Sequence, residues 1–141
     1  MTNEANEEEI WKNYPEFPFI EANQFGEVRT KDRIVKSKDG RNYHIKGRVL
    51  KQRDNGYGYM CVKFKINGKN ITRYVHRIVA TCFIPNPDNL PEVNHKDNDR
   101  TNNSVSNLEW CSRQYNNNYK KNFGTTSAEL FGRSVFAVEL S

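Results

Sequence analysis

The chain has 141 residues, which is enough for one compact domain or for a small domain with an appended module. Its hydrophobic fraction of 35% and mean hydropathy of −0.93 predict a modest core. No apolar run reaches the ~20 residues needed to cross a bilayer, and the acidic N-terminus does not resemble a signal peptide. We therefore expect a cytoplasmic protein that does not enter a membrane.

The net charge of +5 is unevenly distributed along the chain. Residues 1–27 carry one base and seven acids, for a net −6, and residues 78–141 carry six bases and seven acids, for a net −1. Residues 28–77 carry fifteen bases and three acids, for a net +12. A basic segment of this kind indicates a surface for a phosphate backbone, and its alternative is a solvated face without a partner.

The cysteine pattern argues against a structural zinc site. Cys61, Cys82 and Cys111 are scattered, and no C-x-x-C pair occurs. We expect all three to be reduced and to serve as small residues in or near the core.

The first half of the chain is predicted to be rich in β-hairpins. Residues 1–9 are acidic and are expected to be disordered. The aromatic segment that follows contains two prolines, which exclude a continuous helix, and we expect it to cap a small sheet. Turn signals occur at residues 39–40, 55–56 and 67–68, and the Asn-Gly pair at 67–68 predicts a two-residue hairpin. That turn places Phe64 opposite Ile71, with lysines on the other face.

A helix is predicted from Val75, because apolar residues recur at i, i+3, i+4, i+7 and i+8 and Pro85 ends the pattern. His76 lies near its start. We interpret His76 as a half-buried histidine with a hydrogen bond at the helix start, and a functional imidazole is the alternative.

The segment from residue 92 to residue 123 predicts a ββα unit. Glu92–His95 is long enough for one strand, and a polar loop then leads to a second strand at Leu108–Cys111. Ser112 is a suitable N-cap for a helix over Arg113–Phe123, with Gly124 as its C-terminal cap.

The polar residues of this unit suit metal-assisted phosphodiester hydrolysis. A neutral imidazole at His95 can deprotonate water near pH 7. The amide oxygens of Asn94 and Asn116 are ligands for a hard divalent cation, Mg²⁺ or Mn²⁺. We expect Asn107 to hold the loop that orients His95, and Arg113 to stabilise the phosphate.

The motif VNHKDNDRTNNSVSNLEWCSRQYN resembles the signature of the HNH endonucleases, particularly the phage and intron-encoded homing type. The resemblance implies that His95 is the general base, Asn107 the central structural asparagine and Asn116 a metal ligand. Asn94 stands where many relatives have a metal-binding aspartate. The segment YVHRIVATCFIPNPDNLPEVNH resembles the lead-in helix and loop, and residues from about 8 onward resemble a DNA-binding module often fused to these nucleases.

The resemblance and the residue patterns together predict an α+β fold. We expect an N-terminal β-rich DNA-binding module at residues 10–74 and a nuclease core at 75–123. The end of the chain, 124–141, resembles a truncated DNA-binding module. Eight basic residues are expected to contact double-stranded DNA: Arg29, Arg33, Arg48, Lys51, Lys63, Lys65, Arg73 and Arg77.

The sequence leaves three functions open. The first is a metal-dependent DNA endonuclease that works as a monomer in the cytoplasm of a bacterial host and nicks one strand, two copies being needed for a double-strand break. The second is a DNA-binding protein whose nuclease has decayed, which the missing carboxylate at position 94 favours. The third is a nuclease directed at RNA, because a basic face does not distinguish nucleic acids.

Overall fold

The structure is a computed structural model, and it describes residues 8–123. That part of the chain contains ten strands and two α-helices. The first five strands are β1 (Trp11–Tyr14), β2 (Phe17–Asn23), β3 (Val28–Thr30), β4 (Arg33–Lys36) and β5 (Asn42–Ile45). The next three are β6 (Arg53–Asp54), β7 (Met60–Ile66) and β8 (Lys69–Tyr74). The remaining elements are α1 (Val75–Phe83), β9 (Glu92–His95), β10 (Leu108–Cys111) and α2 (Arg113–Phe123).

The aromatic N-terminal segment forms an antiparallel sheet of order β1-β2-β3. The sequence predicted that this aromatic segment caps a small sheet, but not the hairpin of β1 and β2. Pro18 lies within β2, which is tolerated because β3 pairs only with Ile20–Ala22. The register of β1 also shifts after Asn13, whose Nδ2 donates a hydrogen bond to the carbonyl oxygen of Pro18 at 2.7 Å. The proline therefore sits at an irregularity rather than in a regular ladder.

The hairpin of β7 and β8 has the predicted register. Phe64 pairs with Ile71, and Lys63 pairs with Thr72. Asn67 and Gly68 have φ angles of 50° and 80°, so both turn residues are left-handed, as a type I′ turn requires. Phe64 is buried, and the neighbouring lysines are exposed, so the predicted division into an apolar and a basic face is confirmed.

Helix α1 lies at the centre of the core. Val75, Ile78 and Val79 are fully buried, and the same hydrophobic cluster includes Ile20 from β2 and Leu108 from β10. The helix ends as predicted, because Ile84, which precedes Pro85, has an extended backbone. One core thus joins the N-terminal sheet to the elements that follow residue 75. The division into a DNA-binding module and a nuclease core stays a prediction.

The predicted ββα unit is present. Strands β9 and β10 pair antiparallel, and α2 begins directly after Ser112, whose Oγ accepts a hydrogen bond from the backbone N–H of Tyr115 at 3.0 Å. The α+β fold class is confirmed. No helix between residues 8 and 123 is long and apolar enough to span a membrane. The predicted C-terminal cap and tail, and most of the acidic N-terminal tail, lie outside the described residues.

The central position of α1 predicts the effect of shortening one of its buried side chains. Ile78→Ala should lower the free energy of unfolding by about 2–5 kcal/mol, because it leaves a cavity among side chains that cannot fully collapse. Ile34→Ala is the matched control, since Ile34 lies on the β4–β5 hairpin and is 60% exposed; its effect should stay within ~0.5 kcal/mol. Urea unfolding measures both, and equal losses would contradict the central role of α1.

Burial of His76 on α1 predicts a dependence of stability on pH. His76 is 7% exposed, and burial lowers its pKa to about 3. An unfolded histidine has a pKa near ~6.5, so below that pH the unfolded chain binds a proton that the folded chain does not. Stability should therefore fall as the pH drops from ~6.5 towards 3, by up to ~1.4 kcal/mol per pH unit from this group.

Urea unfolding between about pH 7 and pH 5 measures this loss. His76→Phe keeps an aromatic ring but removes the proton-binding site, so its unfolding free energy should fall less over the same range. An identical pH dependence in both proteins would contradict the assignment to His76.

Candidate active site

His95 ends β9 and is held by a second buried residue. The Nε2 atom of His95 lies 2.7 Å from Oδ1 of Asn103, and both side chains are at most 5% exposed. An amide oxygen only accepts hydrogen bonds, so Nε2 carries the proton and Nδ1 keeps its lone pair. Asn103 therefore sets the tautomer that a general base requires.

The surroundings of His95 also favour its neutral form. Burial lowers the pKa of His95 below its ordinary value. The bond to Asn103 and the charges of Asp97 and Asp99 act in the opposite direction, but burial outweighs them. The imidazole is consequently unprotonated at neutral pH and able to accept a proton from water.

His76 packs against His95, with 5.0 Å between the ring centroids. Tyr59 covers both imidazoles, at 5.3 Å from the ring of His76 and 6.2 Å from that of His95. The prediction that His76 is half-buried was wrong, because its side chain is buried. Its Nδ1 has no hydrogen-bond partner among residues 8–123. His76 thus forms part of the buried surroundings of His95.

Two buried amides lie beside His95, and each is backed by a carboxylate. Nδ2 of Asn94 donates to Oε2 of Glu109 at 2.8 Å, and Nδ2 of Asn116 donates to Oε1 of Glu92 at 3.0 Å. The bond from Asn116 is also the largest cause that lowers the pKa of Glu92. The Oδ1 atom of Asn116 is buried without a partner in the described part of the chain.

His95 and these amides line one small pocket of about 30 Å³, large enough for a guest of the size of a water molecule or an ion. An amide oxygen that is buried and unpartnered fits a hard divalent cation, which takes oxygen ligands and keeps several waters. Between residues 8 and 123 no group of three or more His, Cys, Asp and Glu side chains is placed to hold a metal ion. The oxygen atoms that the pocket offers to a divalent cation are therefore those of amides.

Asn107 occupies the position from which it can brace the loop between β9 and β10. Its Oδ1 accepts from the backbone N–H of Asp97 at 3.1 Å, and its Nδ2 donates to Oδ1 of Asp97 and to the carbonyl of Asn102, both at 2.9 Å. The backbone N–H of Lys96 also donates to the carbonyl of Asn107 at 2.8 Å. These contacts hold the loop, and the role of Asn107 as the structural asparagine stays a prediction.

The positive charge at the site comes from one predicted residue, Arg113, and from two residues that were not predicted. Arg113 lies in the first turn of α2, largely exposed, with Nε 3.4 Å from Oε2 of Glu92. Lys120 and Arg100, which the sequence did not single out, line the pocket itself. Both contact Tyr59: Nζ of Lys120 lies 3.0 Å from its hydroxyl, and the guanidinium of Arg100 lies 4.7 Å from its ring centroid. The spacing of Lys120 one turn after Asn116 was the available signal.

The N-terminal sheet touches the loop that holds His95. Gly26 has a φ of 92°, and a Cβ there would lie 2.8 Å from the carbonyl oxygen of Asn103. The backbone N–H of Val105 donates to the carbonyl of Gln24 at 3.0 Å. The turn after β2 therefore supports Asn103, and through Asn103 it supports the imidazole of His95.

Four of the eight predicted DNA-binding residues are engaged within the protein. Arg29 pairs with Glu21 at 2.9 Å, and Arg73 pairs with Glu16 at 2.6 Å. The other two donate to carbonyl oxygens, Arg33 to that of Lys65 at 3.2 Å and Arg77 to that of Pro91 at 2.9 Å.

The other four are exposed, and three of them share one surface. Arg48, Lys51 and Lys63 line an open groove of about 310 Å³ together with Arg53 and Leu50. Arg53 was missed by the sequence analysis because it lies on the short strand β6. Lys65 is exposed on β7, on the same face as Lys63. The structure thus concentrates four bases in the groove formed by residues 48–53 and β7, which we call the basic groove.

Two known motifs match the chain. The HNH endonuclease family matches residues 73–118, and the NUMOD4 motif matches residues 9–65. The mimivirus protein "Uncharacterized HNH endonuclease L245" (Acanthamoeba polyphaga mimivirus) is 42% identical over 78 residues, which are 50% of this chain and 24% of that protein. The DNA endonuclease I-HmuI of Bacillus phage SP01 is 34% identical over 90 residues, which are 63% of this chain and 52% of that protein.

The structural comparison agrees with these matches. The structure described as "DNA binding and cleavage by the HNH homing endonuclease I-HmuI" superimposes with a TM-score of 0.62 at 26% identity, covering 90% of this chain and 66% of that one. The chain spans between about a quarter and about half the length of the curated relatives named here. The predicted resemblance is confirmed: residues 73–118 match the HNH endonuclease family, the NUMOD4 motif precedes them at residues 9–65, and the fold is similar to that of an HNH homing endonuclease.

Proposed function

We propose that this protein is a metal-dependent endonuclease that hydrolyses phosphodiester bonds in double-stranded DNA. One observation carries the proposal: a neutral histidine, with its Nε2 held by Asn103, shares a pocket with two buried amides that fit a divalent cation. We also propose that it acts in the cytoplasm of a bacterial host, since I-HmuI belongs to a bacteriophage, and that it acts as a monomer.

In this mechanism His95 is the general base. Nδ1 accepts a proton from the attacking water, and Asn103 keeps the ring in the tautomer and orientation that this transfer needs. The resulting imidazolium donates its Nε2 proton to the same amide oxygen, so the hydrogen bond persists through the step. Asn107 holds the loop on which Asn103 lies.

Asn94 and Asn116 would hold the divalent cation through their amide oxygens. When bound, the cation stabilises the negative charge that develops on the phosphate and on the leaving oxygen. Arg100 and Lys120 add positive charge at the pocket, and Arg113 lies at its edge on α2. These cations bind and orient the phosphodiester beside His95.

The basic groove would bind the DNA backbone outside the active site. Arg48, Lys51, Arg53 and Lys63 are exposed there together, and phosphate contacts of this kind supply most of the affinity for DNA without regard to sequence. Because the site contains one histidine base, a single copy is expected to cut one strand. A break in both strands would require two copies acting together.

A second function is favoured by one specific observation. Position 94 carries an amide, and a site without a carboxylate ligand is expected to hold its cation more weakly. The alternative is therefore a DNA-binding protein whose nuclease has decayed. The two functions differ in whether DNA is cut, which the following experiment decides.

If the protein is an endonuclease of this kind, it should relax supercoiled plasmid in the presence of Mg²⁺ or Mn²⁺. His95→Ala should lower the rate of nicking by about 10²–10⁴-fold, because the water then lacks its base. Gel electrophoresis of the plasmid measures nicking, and EDTA should abolish it. DNA binding without metal-dependent nicking would support the decayed protein, and nicking unaffected by His95→Ala would overturn the mechanism. The same reaction with RNA in place of the plasmid tests whether the substrate is RNA rather than DNA.

The basic groove predicts the salt dependence of DNA binding. Arg48→Ala should reduce the slope of log K against log salt concentration by about 1, because one phosphate contact is lost. Arg73→Gln removes the same charge where Glu16 already pairs with it, so its effect on the slope should be less than half as large. Fluorescence anisotropy with duplex DNA at about 50–200 mM salt measures both slopes. Equal slopes would contradict the basic groove as the DNA-binding surface.

A further inference from the structure

We propose that Glu109 and Glu92 are positioning residues that aim the amide oxygens of Asn94 and Asn116 at the bound cation. Each carboxylate accepts a hydrogen bond from the nitrogen of one amide, at 2.8 Å for Asn94 and 3.0 Å for Asn116. The inference rests on the proposed function, because it concerns the cation that the two amides would hold.

The two hydrogen bonds determine which atom of each amide faces away from its carboxylate. A carboxylate is only an acceptor, so the nitrogen of the amide must face it and the oxygen must point elsewhere. An amide without such a partner can present either its oxygen or its nitrogen, and the nitrogen is not a ligand for a hard cation. Aspartate presents an oxygen in either orientation, whereas asparagine does so in only one. The two carboxylates therefore hold each asparagine in the orientation that presents its oxygen.

The backbone places both carboxylates without assistance from loops. Glu109 lies directly opposite Asn94 in the register of β9 and β10. Glu92 lies on β9, two residues before Asn94, and reaches across to Asn116 in α2. Both amides are at most 3% exposed, so contact with solvent does not determine their orientation.

The carboxylates also supply charge that the two amides lack. Asn94 and Asn116 are neutral, and a carboxylate hydrogen-bonded behind each amide draws its N–H dipole and enriches its oxygen in negative charge. Partners of this kind behind metal ligands typically contribute 10–100-fold to metal affinity or activity. The structure thus indicates how the site can attract a divalent cation although position 94 carries no carboxylate.

Each carboxylate has a second partner, which offers a control. The hydroxyl of Tyr115 donates to Oε2 of Glu109 at 3.3 Å, and Arg113 lies 3.4 Å from Glu92. If Glu109 had a purely structural role, its hydrogen bonds to Asn94 and to Tyr115 would both contribute to that role. A positioning role acts through Asn94 alone, so removing the tyrosine hydroxyl should leave the cation unaffected.

The experiment measures Mn²⁺ binding rather than cleavage. The protein carries His95→Ala, which keeps the amides but slows nicking by about 10²–10⁴-fold, and it is bound to duplex DNA. Free Mn²⁺ is followed by electron paramagnetic resonance. Glu109→Gln and Glu92→Gln keep the shape of the side chain but let the amide turn over, so each should weaken Mn²⁺ binding by about 10-fold or more.

Two control variants separate positioning from stability and from net charge. Tyr115→Phe removes the second partner of Glu109, and Asp88→Asn removes one negative charge from an exposed turn after α1. Both should leave Mn²⁺ affinity within about twofold, far below the change expected for a partner of a metal ligand. Thermal unfolding of every variant, measured without metal, shows whether the fold is intact.

The outcomes distinguish this inference from the proposed function. Nicking by the protein with His95, together with Mn²⁺ affinity unchanged by both glutamine variants, would overturn the inference alone. Loss of affinity in Tyr115→Phe equal to that in Glu109→Gln would overturn it as well. A protein that neither nicks DNA nor binds Mn²⁺ would overturn the proposed function and, with it, the role of the two carboxylates.

Discussion

The antiparallel pairing of β9 with β10 is the constraint on which the site depends. Four residue pairs set His95 opposite Leu108 and Asn94 opposite Glu109. Side chains alternate between the faces of a strand, so a shift of one residue would separate Asn94 from its carboxylate and carry His95 to the other face. Leu108 is part of the hydrophobic core, and the burial of that side chain is what fixes the register.

The interior around this strand pair contains several buried polar side chains, and most of them are asparagines. Asn94, Asn103, Asn107 and Asn116 are all buried. An amide can donate and accept at once, so a few of them can connect a loop, a strand and a helix without introducing charge. The arrangement orders the site before any ligand arrives, which lowers the cost of binding one.

Much of the fold follows from local signals, and the exceptions have physical causes. The Asn-Gly turn, the period of α1 and the capped helix α2 depend on neighbouring residues, so the sequence predicts them. The two prolines in the aromatic segment were used only to exclude a helix, and the hairpin of β1 and β2 was missed because the tolerance for Pro18 depends on where β3 stops.

The site divides in the same way. His95, Asn94, Asn107 and Asn116 belong to a compact motif, and the structure brings the first two and the last into one pocket. Glu92, Asn103 and Glu109 act through partners 8–24 positions away, which only the folded chain reveals. The charge count located a basic region correctly, but it could not show which arginines were already paired with glutamates.

The contact between Gly26 and Asn103 limits how freely the two parts of this chain can be recombined. Residues 75–123 joined to a foreign N-terminal segment would inherit His95 and its motif, but not the turn that rests against Asn103. Domain exchange, whether by evolution or by an engineer, would have to carry the glycine turn with the nuclease or restore an equivalent surface. The boundary that matters for a chimera therefore lies inside the N-terminal sheet, not at the junction of β8 and α1.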